Sequence, residues 1–258
     1  RRRMADESTA GGPLIITWPA TTLEPPQVRT TRRRVIVVAW DLTHNPVGRA
    51  WVLAELAMRS ANCEIVGPLF PAYGDDLWGP LRETERPVEI RGFRAGSFAD
   101  FLNGAIRLVE QRPCDIALVS KPRLPSLLIG LLYKLIHGAR LVLDIDDDEL
   151  AFVGATDSLG LADFIASTTA SDWQAPHDRR WTRLAASLVH AADATTTCNP
   201  VLRQRFGGTI VRHARDQRLF ASAAAARPTL RQEFGFIESD KVVLFLGTPR
   251  RHKGLLKI

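Results

Sequence analysis

A chain of 258 residues that is 45% hydrophobic and 24% charged carries apolar material for one large domain, or one and a half ordinary ones, with the charge of a soluble globular protein. No apolar run reaches the roughly 18 residues that cross a bilayer, and no apolar h-region follows the basic N-terminus, so neither a spanning helix nor a secretory signal is expected. Three widely spaced cysteines, Cys63, Cys114 and Cys198, offer neither metal-ligand spacing nor an even disulfide count, and a reducing cytoplasm fits best.

The net charge of +6 is unevenly placed. Residues 1–34 hold seven arginines against three acids, residues 35–202 are net −6, and residues 203–258 hold twelve Lys and Arg against four acids. A basic end of this kind attracts a phosphate ligand, nucleic acid or an anionic membrane surface. On charge alone, a solvated basic face is the simpler account.

In chain order, residues 1–33 contain Gly-Gly-Pro, Pro-Pro and several Thr without apolar periodicity, and are expected to be a disordered tail. From Arg34 onward, short apolar runs alternate with longer amphipathic ones. Strands are predicted at Val35–Trp40, Glu64–Leu69, Val88–Arg91, Asp115–Ser120, Arg140–Ile145, Ala194–Thr197, Thr209–Arg212 and Val242–Leu246. Helices are predicted at Gly48–Arg59, Phe98–Gln111, Leu124–His137, His177–Ala191, Asn199–Phe206 and Pro228–Phe234. Several strands are apolar on successive residues, as in a parallel sheet covered on both faces. The expected fold is α/β, a Rossmann-like doubly wound sheet, in which ligands bind beyond the carboxyl ends of the strands.

Three strand ends carry chemistry. The loop Asp41–Gly48 enters a helix whose first turn holds Gly48. A helix N-terminus suits a phosphate, but neither a dinucleotide fingerprint nor a P-loop is present. The second strand end, Leu141–Glu149, runs into five acids within six residues: Asp144, Asp146, Asp147, Asp148 and Glu149. Such a cluster can hold a cation, act as a base or bind sugar hydroxyls. It can equally pair with Lys121 and Arg123 from the neighbouring strand end. It is similar to the DxDx[TV] strand end of haloacid-dehalogenase-type phosphatases, whose first Asp is the nucleophile, except that Asp148 takes the place of Thr or Val. The third, Val242–Leu255, is an apolar strand meeting Gly247 and then the basic loop Arg250-Arg251-His252-Lys253 before Gly254. Guanidinium and ammonium groups there match a diphosphate.

That third segment, Gly-x-x-Arg-x-x-Lys-Gly, resembles the opening of the donor-binding domain in retaining GT-B glycosyltransferases of the family 4 (group 1) type. Four earlier segments agree in order. They are Gly48-Arg49-Ala50 with Leu53–Leu56, Cys114–Pro122 with Pro125-Ser126, Thr196–Asn199 with Leu202 and Phe206–Gly208, and Arg212–Asp216 with Phe220. The departures are specific. Family members often carry His where this chain has Ser120-Lys121 and in the segment Asp144–Asp146, and often carry Arg where this chain has Thr248.

Beyond the tail expected over 1–33 from composition, the resemblance implies an acceptor-side Rossmann-like domain over 34–222, and a linker with the start of a truncated donor-binding domain over 223–258. It implies a cytoplasmic enzyme, peripheral at the inner membrane face at most, that transfers a sugar from a nucleotide diphosphate-sugar to a glycan, lipid or small-molecule acceptor with retention. No metal, no further cofactor and no nucleic-acid partner are implied. Gly48, Arg250 and Lys253 would hold the donor diphosphate, while Ser120, Lys121, Asp146 and Asp147 would line the acceptor pocket. No residue stands out as a catalytic base. The alternatives are a phosphohydrolase using Asp144 and Asp146, and a non-catalytic sugar- or nucleotide-binding module.

Overall fold

The computed structural model describes residues 13–21, 32–83, 85–167, 176–213 and 217–245. The chain divides into two compact units, Arg1–Ala214 and Arg215–Ile258. The first unit is built on one sheet. In chain order its elements are β1 (Ile15–Trp18), β2 (Arg34–Val38), α1 (Val47–Ala57), β3 (Asn62–Leu69), α2 (Gly79–Glu83), β4 (Glu89–Arg94), α3 (Phe98–Gln111), β5 (Ile116–Ser120) and α4 (Leu124–His137). They continue with β6 (Arg140–Ile145), α5 (Glu149–Phe152), α6 (Leu161–Ser167), α7 (Arg179–Ser187), a 3-10 turn (Val189–Ala191), β7 (Ala194–Thr197), α8 (Pro200–Phe206) and β8 (Thr209–Ile210).

The strand order is β1-β4-β3-β2-β5-β6-β7-β8. Every pairing from β4 to β8 is parallel, and among the described residues β1 alone joins antiparallel, beside β4. The order reverses between β2 and β5: the chain first winds outward through β3 and β4, then returns to the other side of β2. Such a switch point opens a crevice at the carboxyl ends of the strands.

Alternation along β2 shows why both faces are covered. Ile36, Val38 and Trp40 face the cluster built with Phe101, Leu108, Leu127 and Leu184, which come from α3, α4 and α7. Val35, Val37 and Ala39 face the cluster built with Val47, Ala50, Leu53 and Ala54 of α1. Each fully buried aliphatic side chain contributes about 1.5–3 kcal/mol, so a strand apolar on successive residues is stable only inside such a sandwich. Local signals set the helix ends. Ser97 caps α3 by accepting from Asp100 N, Asn199 caps α8 by accepting from Leu202 N, and Gly138 closes α4 at φ 65°. Helix α4 packs close because Gly130 has no side chain: a Cβ there would lie 2.3 Å from Val119 Cγ2.

Three expectations change. Residues 1–33 are not wholly a disordered tail, since Ile15–Trp18 pairs with Phe93 through Ile90 as an edge strand. Its short apolar run carries no alternation long enough to stand out. The helix expected at Pro228–Phe234 is the end of a longer one, α9 (Gln217–Glu233), which holds Pro228 in its interior. The strand expected at Val242–Leu246 is not formed over its described residues 242–245, where Val243 and Leu244 are 75% and 78% exposed. Among the described residues no helix is long and apolar enough to cross a membrane.

Candidate functional site

The carboxyl ends of β2, β5, β6 and β7 gather the polar residues of the first unit onto one rim. Its foundation is a buried ion pair. Arg49, on the first turn of α1, donates from Nε to Asp144 Oδ2 at 2.8 Å and from Nη2 to Asp144 Oδ1 at 2.7 Å. Asp144 closes β6, is fully buried, and also accepts from Thr196 Oγ1 of β7 at 2.6 Å. Arg49 Nη2 further donates to the carbonyl of Val211, beyond β8, at 3.0 Å. Burial pulls the Arg49 pKa down, but the bond and charge of Asp144 outweigh it, so the guanidinium stays charged.

One step outward lies the acid cluster. Lys121 follows β5 in a left-handed conformation, φ 71°, unusual for a residue with a side chain. Ser126 Oγ fixes that turn by donating to the Lys121 carbonyl at 2.7 Å. The Lys121 ammonium then reaches Asp146 and Asp147, each at 2.7 Å, and Glu149 at 3.5 Å. Arg123 holds Glu149 from the other side, Nε to Oε2 at 2.6 Å. Burial lowers the Lys121 pKa, yet Asp146, Glu149 and Asp147 raise it by more. Burial also pushes Asp146 up to about 6 against the pull of Lys121. The Lys121 shift reflects the carboxylates around it, and the Asp146 shift reflects first the burial of its own charge. Carboxylate oxygens of Asp146, Asp147 and Glu149 lie close enough to share a cation, and the ammonium of Lys121 sits among them.

A third, largely aromatic group gathers at the carboxyl ends of β2 and β3, on the β2 side of the crevice. Trp40 and Asp41 follow β2, His44 precedes α1, Phe70 and Tyr73 follow β3, and His177 precedes α7. His44 stacks on Tyr73 with centroids 4.4 Å apart and meets the edge of Trp40 at 5.1 Å. His177 lies 4.7 Å from Phe70 and 5.2 Å from Tyr73. Burial lowers the His177 pKa, opposed by Asp41 and Asp178. Arg123 joins this group to the acid cluster: its guanidinium lies 4.9 Å over the Trp40 ring, and its Nη1 donates to the His177 carbonyl at 3.0 Å.

Of the residues expected at the site, Ser120, Lys121, Asp146 and Asp147 stand together at this rim. Asp144, expected as a rival nucleophile, lies beneath them with both oxygens engaged. Lys121 spends its charge on the acids, as the pairing alternative requires. Ser120 Oγ is buried and has no hydrogen-bond partner among the described residues. Gly48 starts α1 as expected but does not present free donors. The N–H groups of Val47, Gly48 and Arg49 donate to the carbonyls of His44, Asn45 and Pro46 at 3.2, 3.0 and 3.2 Å, because the helix opens from a tight turn. Arg250 and Lys253 lie outside the described residues. The sequence reading passed over His44, Tyr73 and His177, and named Arg123 only as a possible partner of the acids. Asp41 and His44, three residues apart in a strand-end loop, were the signal that could have found the first. At the opposite, amino-terminal end of the sheet, a cavity of about 410 Å³ lies beside Arg34, Asn62, Glu64 and Arg112. There Arg112 is paired with Glu64.

No protein-family model matches the chain, and no curated protein matches it. Among solved structures, HepE from Anabaena in complex with UDP covers 79% of this chain and 50% of its own, at 14% identity and a TM-score of 0.46. TcCGT1 in complex with UDP covers 88% and 55%, at 8% identity and 0.41. The PbgP3 protein from Burkholderia pseudomallei covers 65% and 52%, at 13% identity and 0.31. The chain thus spans about half the length of these structures. Overlaps this loose say nothing of chemistry, which rests on the rim's own residues.

Proposed function

We propose that the chain is the acceptor-side half of a two-domain enzyme that transfers a sugar from a nucleotide diphosphate-sugar to a hydroxyl acceptor. The supporting observation is that motif segments far apart in sequence are bonded to one another at a single rim. Arg49 of the Gly48-Arg49-Ala50 segment holds Asp144, and Lys121 of the Cys114–Pro122 segment holds Asp146. Thr196 and Cys198 of the next segment reach Asp144 Oδ1 and the Asp146 carbonyl. A rim built this way at the switch point of a parallel sheet is where an α/β protein takes a ligand.

In this proposal the donor diphosphate is met by Arg250 and Lys253, whose charges would offset the negative charge growing on the leaving group. Gly48 supplies no free N–H to it, so α1 lends at most the field of its N-terminus. Ser120, Lys121, Asp146 and Asp147 form the polar wall facing the acceptor. The retention and family 4 assignment implied by the sequence resemblance stay part of the proposal's background and not of its support. The test is to incubate the longest natural form of the protein with UDP-, GDP- and ADP-sugars and sugar acceptors, following release of nucleoside diphosphate. Acceptor-dependent release from at least one donor, lost when Arg250 and Lys253 are both changed to Ala, is expected. No nucleoside diphosphate binding or release from any donor would overturn the reading.

A phosphohydrolase using Asp144 is disfavoured by geometry. A nucleophilic carboxylate must reach a phosphorus atom, and this one is fully buried under Arg49 and Thr196.

A further inference from the structure

We propose that the acceptor carries an amino group beside the hydroxyl it offers, and that its ammonium is seated on the free carboxylate oxygens of Asp146 and Asp147. This rests on the glycosyl-transfer reading of the same rim.

The pairing pattern carries the assignment. Each cation at the rim is committed to its own acid. Arg49 holds Asp144, Arg123 holds Glu149 and Arg205 holds Asp148. Lys121 is left to serve both Asp146 and Asp147, each at 2.7 Å, with Glu149 3.5 Å away. One ammonium offsets one charge, so these two carboxylates keep a surplus negative charge. Geometry shows where it is offered. Lys121 takes Asp146 Oδ1 and Asp147 Oδ2. The other oxygen of each, Asp146 Oδ2 and Asp147 Oδ1, accepts no hydrogen bond among the described residues, and neither is sealed from solvent. The Asp147 side chain is 40% exposed, so the pair can be reached from outside.

A second acid, from a different element, points the same way. Asp41 follows β2 and is fully buried. Its Oδ1 accepts from the backbone N–H of Thr43 at 2.7 Å. Its Oδ2 has no hydrogen-bond partner among the described residues, although His44 Nδ1 lies 3.1 Å away. Its charge is felt at Tyr73 and His177, in the crevice that Arg123 joins to the acid cluster. Asp41, Asp144, Asp146, Asp147, Asp148 and Glu149 thus face Arg49, Lys121, Arg123 and Arg205, six acids against four cations. A buried carboxylate without a counter-charge is costly. A ligand of opposite charge removes that cost, which makes charge complementarity the main selector at this wall.

Other occupants fit less well. A divalent cation would need the oxygens of Asp146, Asp147 and Glu149 together, and the Lys121 ammonium already stands among them. A substrate ammonium needs only the outward oxygens, to which it brings three N–H donors. A hydroxyl can donate there too but brings no charge. A carboxylate or phosphate on the acceptor would be repelled.

The experiment compares glucose with its 2-, 3- and 6-amino derivatives and with glucuronate as acceptors, using the longest natural form of the protein and UDP-, GDP- and ADP-glucose as donors. At least one amino derivative is expected to exceed glucose in kcat/KM by about 10-fold or more, the worth of one charge-assisted hydrogen bond. Glucuronate is expected to be the poorest acceptor. Asp147→Asn, a change at a partly exposed side chain that keeps its shape, is expected to bring that ratio close to one. In ¹H–¹⁵N spectra an amino derivative is expected to move the amides of Lys121 and Asp146–Glu149, and glucose to leave them in place. Turnover with no preference for any amino derivative, or a preference that survives Asp147→Asn, would overturn the proposal and leave glycosyl transfer standing. Amide shifts with an amino derivative but no turnover of any donor would leave the amine site standing and sink transfer. Neither shifts nor turnover would sink both.

Discussion

The guanidinium of Arg49 and the carboxylate of Asp144 form a two-bond pair, at 2.8 and 2.7 Å, between residues 95 positions apart. Asp144 is fully buried and Arg49 nearly so. The pair ties the first helix to the fourth parallel strand from it in the chain and, through Val211, to the end of the sheet. Removing either partner leaves an uncompensated buried charge, which costs about 3–5 kcal/mol. Arg49→Met and Asp144→Asn are each expected to lose that much in urea unfolding, with the double variant losing clearly less than the sum. Independent, additive losses would show that the pair is not the rim's foundation. The unaltered protein is also expected to show no magnesium-dependent phosphatase activity, because Asp144 has no free oxygen.

Lys121 is expected to act as the resident cation of the acid cluster. Lys121→Met should cost about 3–5 kcal/mol at neutral pH, the cost of breaking a buried pair, and distinctly less at pH 5. The sign follows from Asp146, whose pKa is raised from 3.8 to about 6. A group raised in the folded state contributes stability that is fully present below its unfolded value and lost as pH rises through the folded one. Measured against Asp146→Asn, the protein should therefore lose stability between about pH 4 and pH 6. Protonating Asp146 removes one of the buried charges that Lys121 otherwise offsets. Equal costs of Lys121→Met at pH 5 and 7.5 would contradict this account.

Much of the sheet was legible because its strands are covered on both faces. The runs Arg140–Ile145 and Ala194–Thr197, and the helices Phe98–Gln111 and Leu124–His137, match the observed elements end to end. There the apolar pattern and the caps agree. The strand Ile15–Trp18 was not legible: four residues on an edge bury one face only, and their partner β4 lies over seventy positions away. The site was half legible. Ser120, Lys121, Asp146 and Asp147 follow strands and were read from that position. Their mutual pairing depends on the left-handed turn at Lys121, which no residue type announces. Tyr73, His177 and Arg123 meet only after three crossovers, so no local spacing reveals them.

The edge strand should protect β4. Thr21 also anchors it, its N–H donating to the Arg86 carbonyl at 2.7 Å while its Oγ1 accepts from Arg86 N at 2.6 Å. A protein beginning at residue 22 would expose the unpaired side of Glu89–Arg94, and exposed edges recruit other chains. Increased light scattering on warming and faster amide exchange in β4 are expected. Unchanged exchange in β4 would show that β1 is ornamental.

Gly130 should be intolerant of even one methyl group. A Cβ there would sit 2.3 Å from Val119 Cγ2 and 2.7 Å from Leu141 Cδ1. Neither neighbour can yield easily, because both belong to buried interior strands. Gly130→Ala is a favourable change by helix propensity, yet overpacking of this kind costs about 1–3 kcal/mol. The packing term is expected to win, and a lower urea midpoint with unchanged slope would report it. A variant as stable as the parent would mean that α4 can lift off the sheet.

Arg123 is the joint between the acid cluster and the aromatic crevice, and its shape matters as much as its charge. One guanidinium donates to Glu149 Oε2 at 2.6 Å and to the His177 carbonyl at 3.0 Å, and lies 4.9 Å above Trp40. A planar fork can do all three at once; a lysine ammonium is a single point that can satisfy Glu149 and little else. Arg123→Lys keeps the charge beside Glu149, so the acid cluster should survive. It loses the bond to His177 and the stacking over Trp40, worth about 1–2 kcal/mol together. The loss should be local. Amide exchange should quicken at residues 176–178 and around Tyr73, while Arg49, Asp144 and Lys121 keep their protection. A uniform loss of protection across the whole rim would show instead that Arg123 supports the acid cluster alone. Full protection at residues 176–178 in Arg123→Lys would show that the fork does not hold the crevice together.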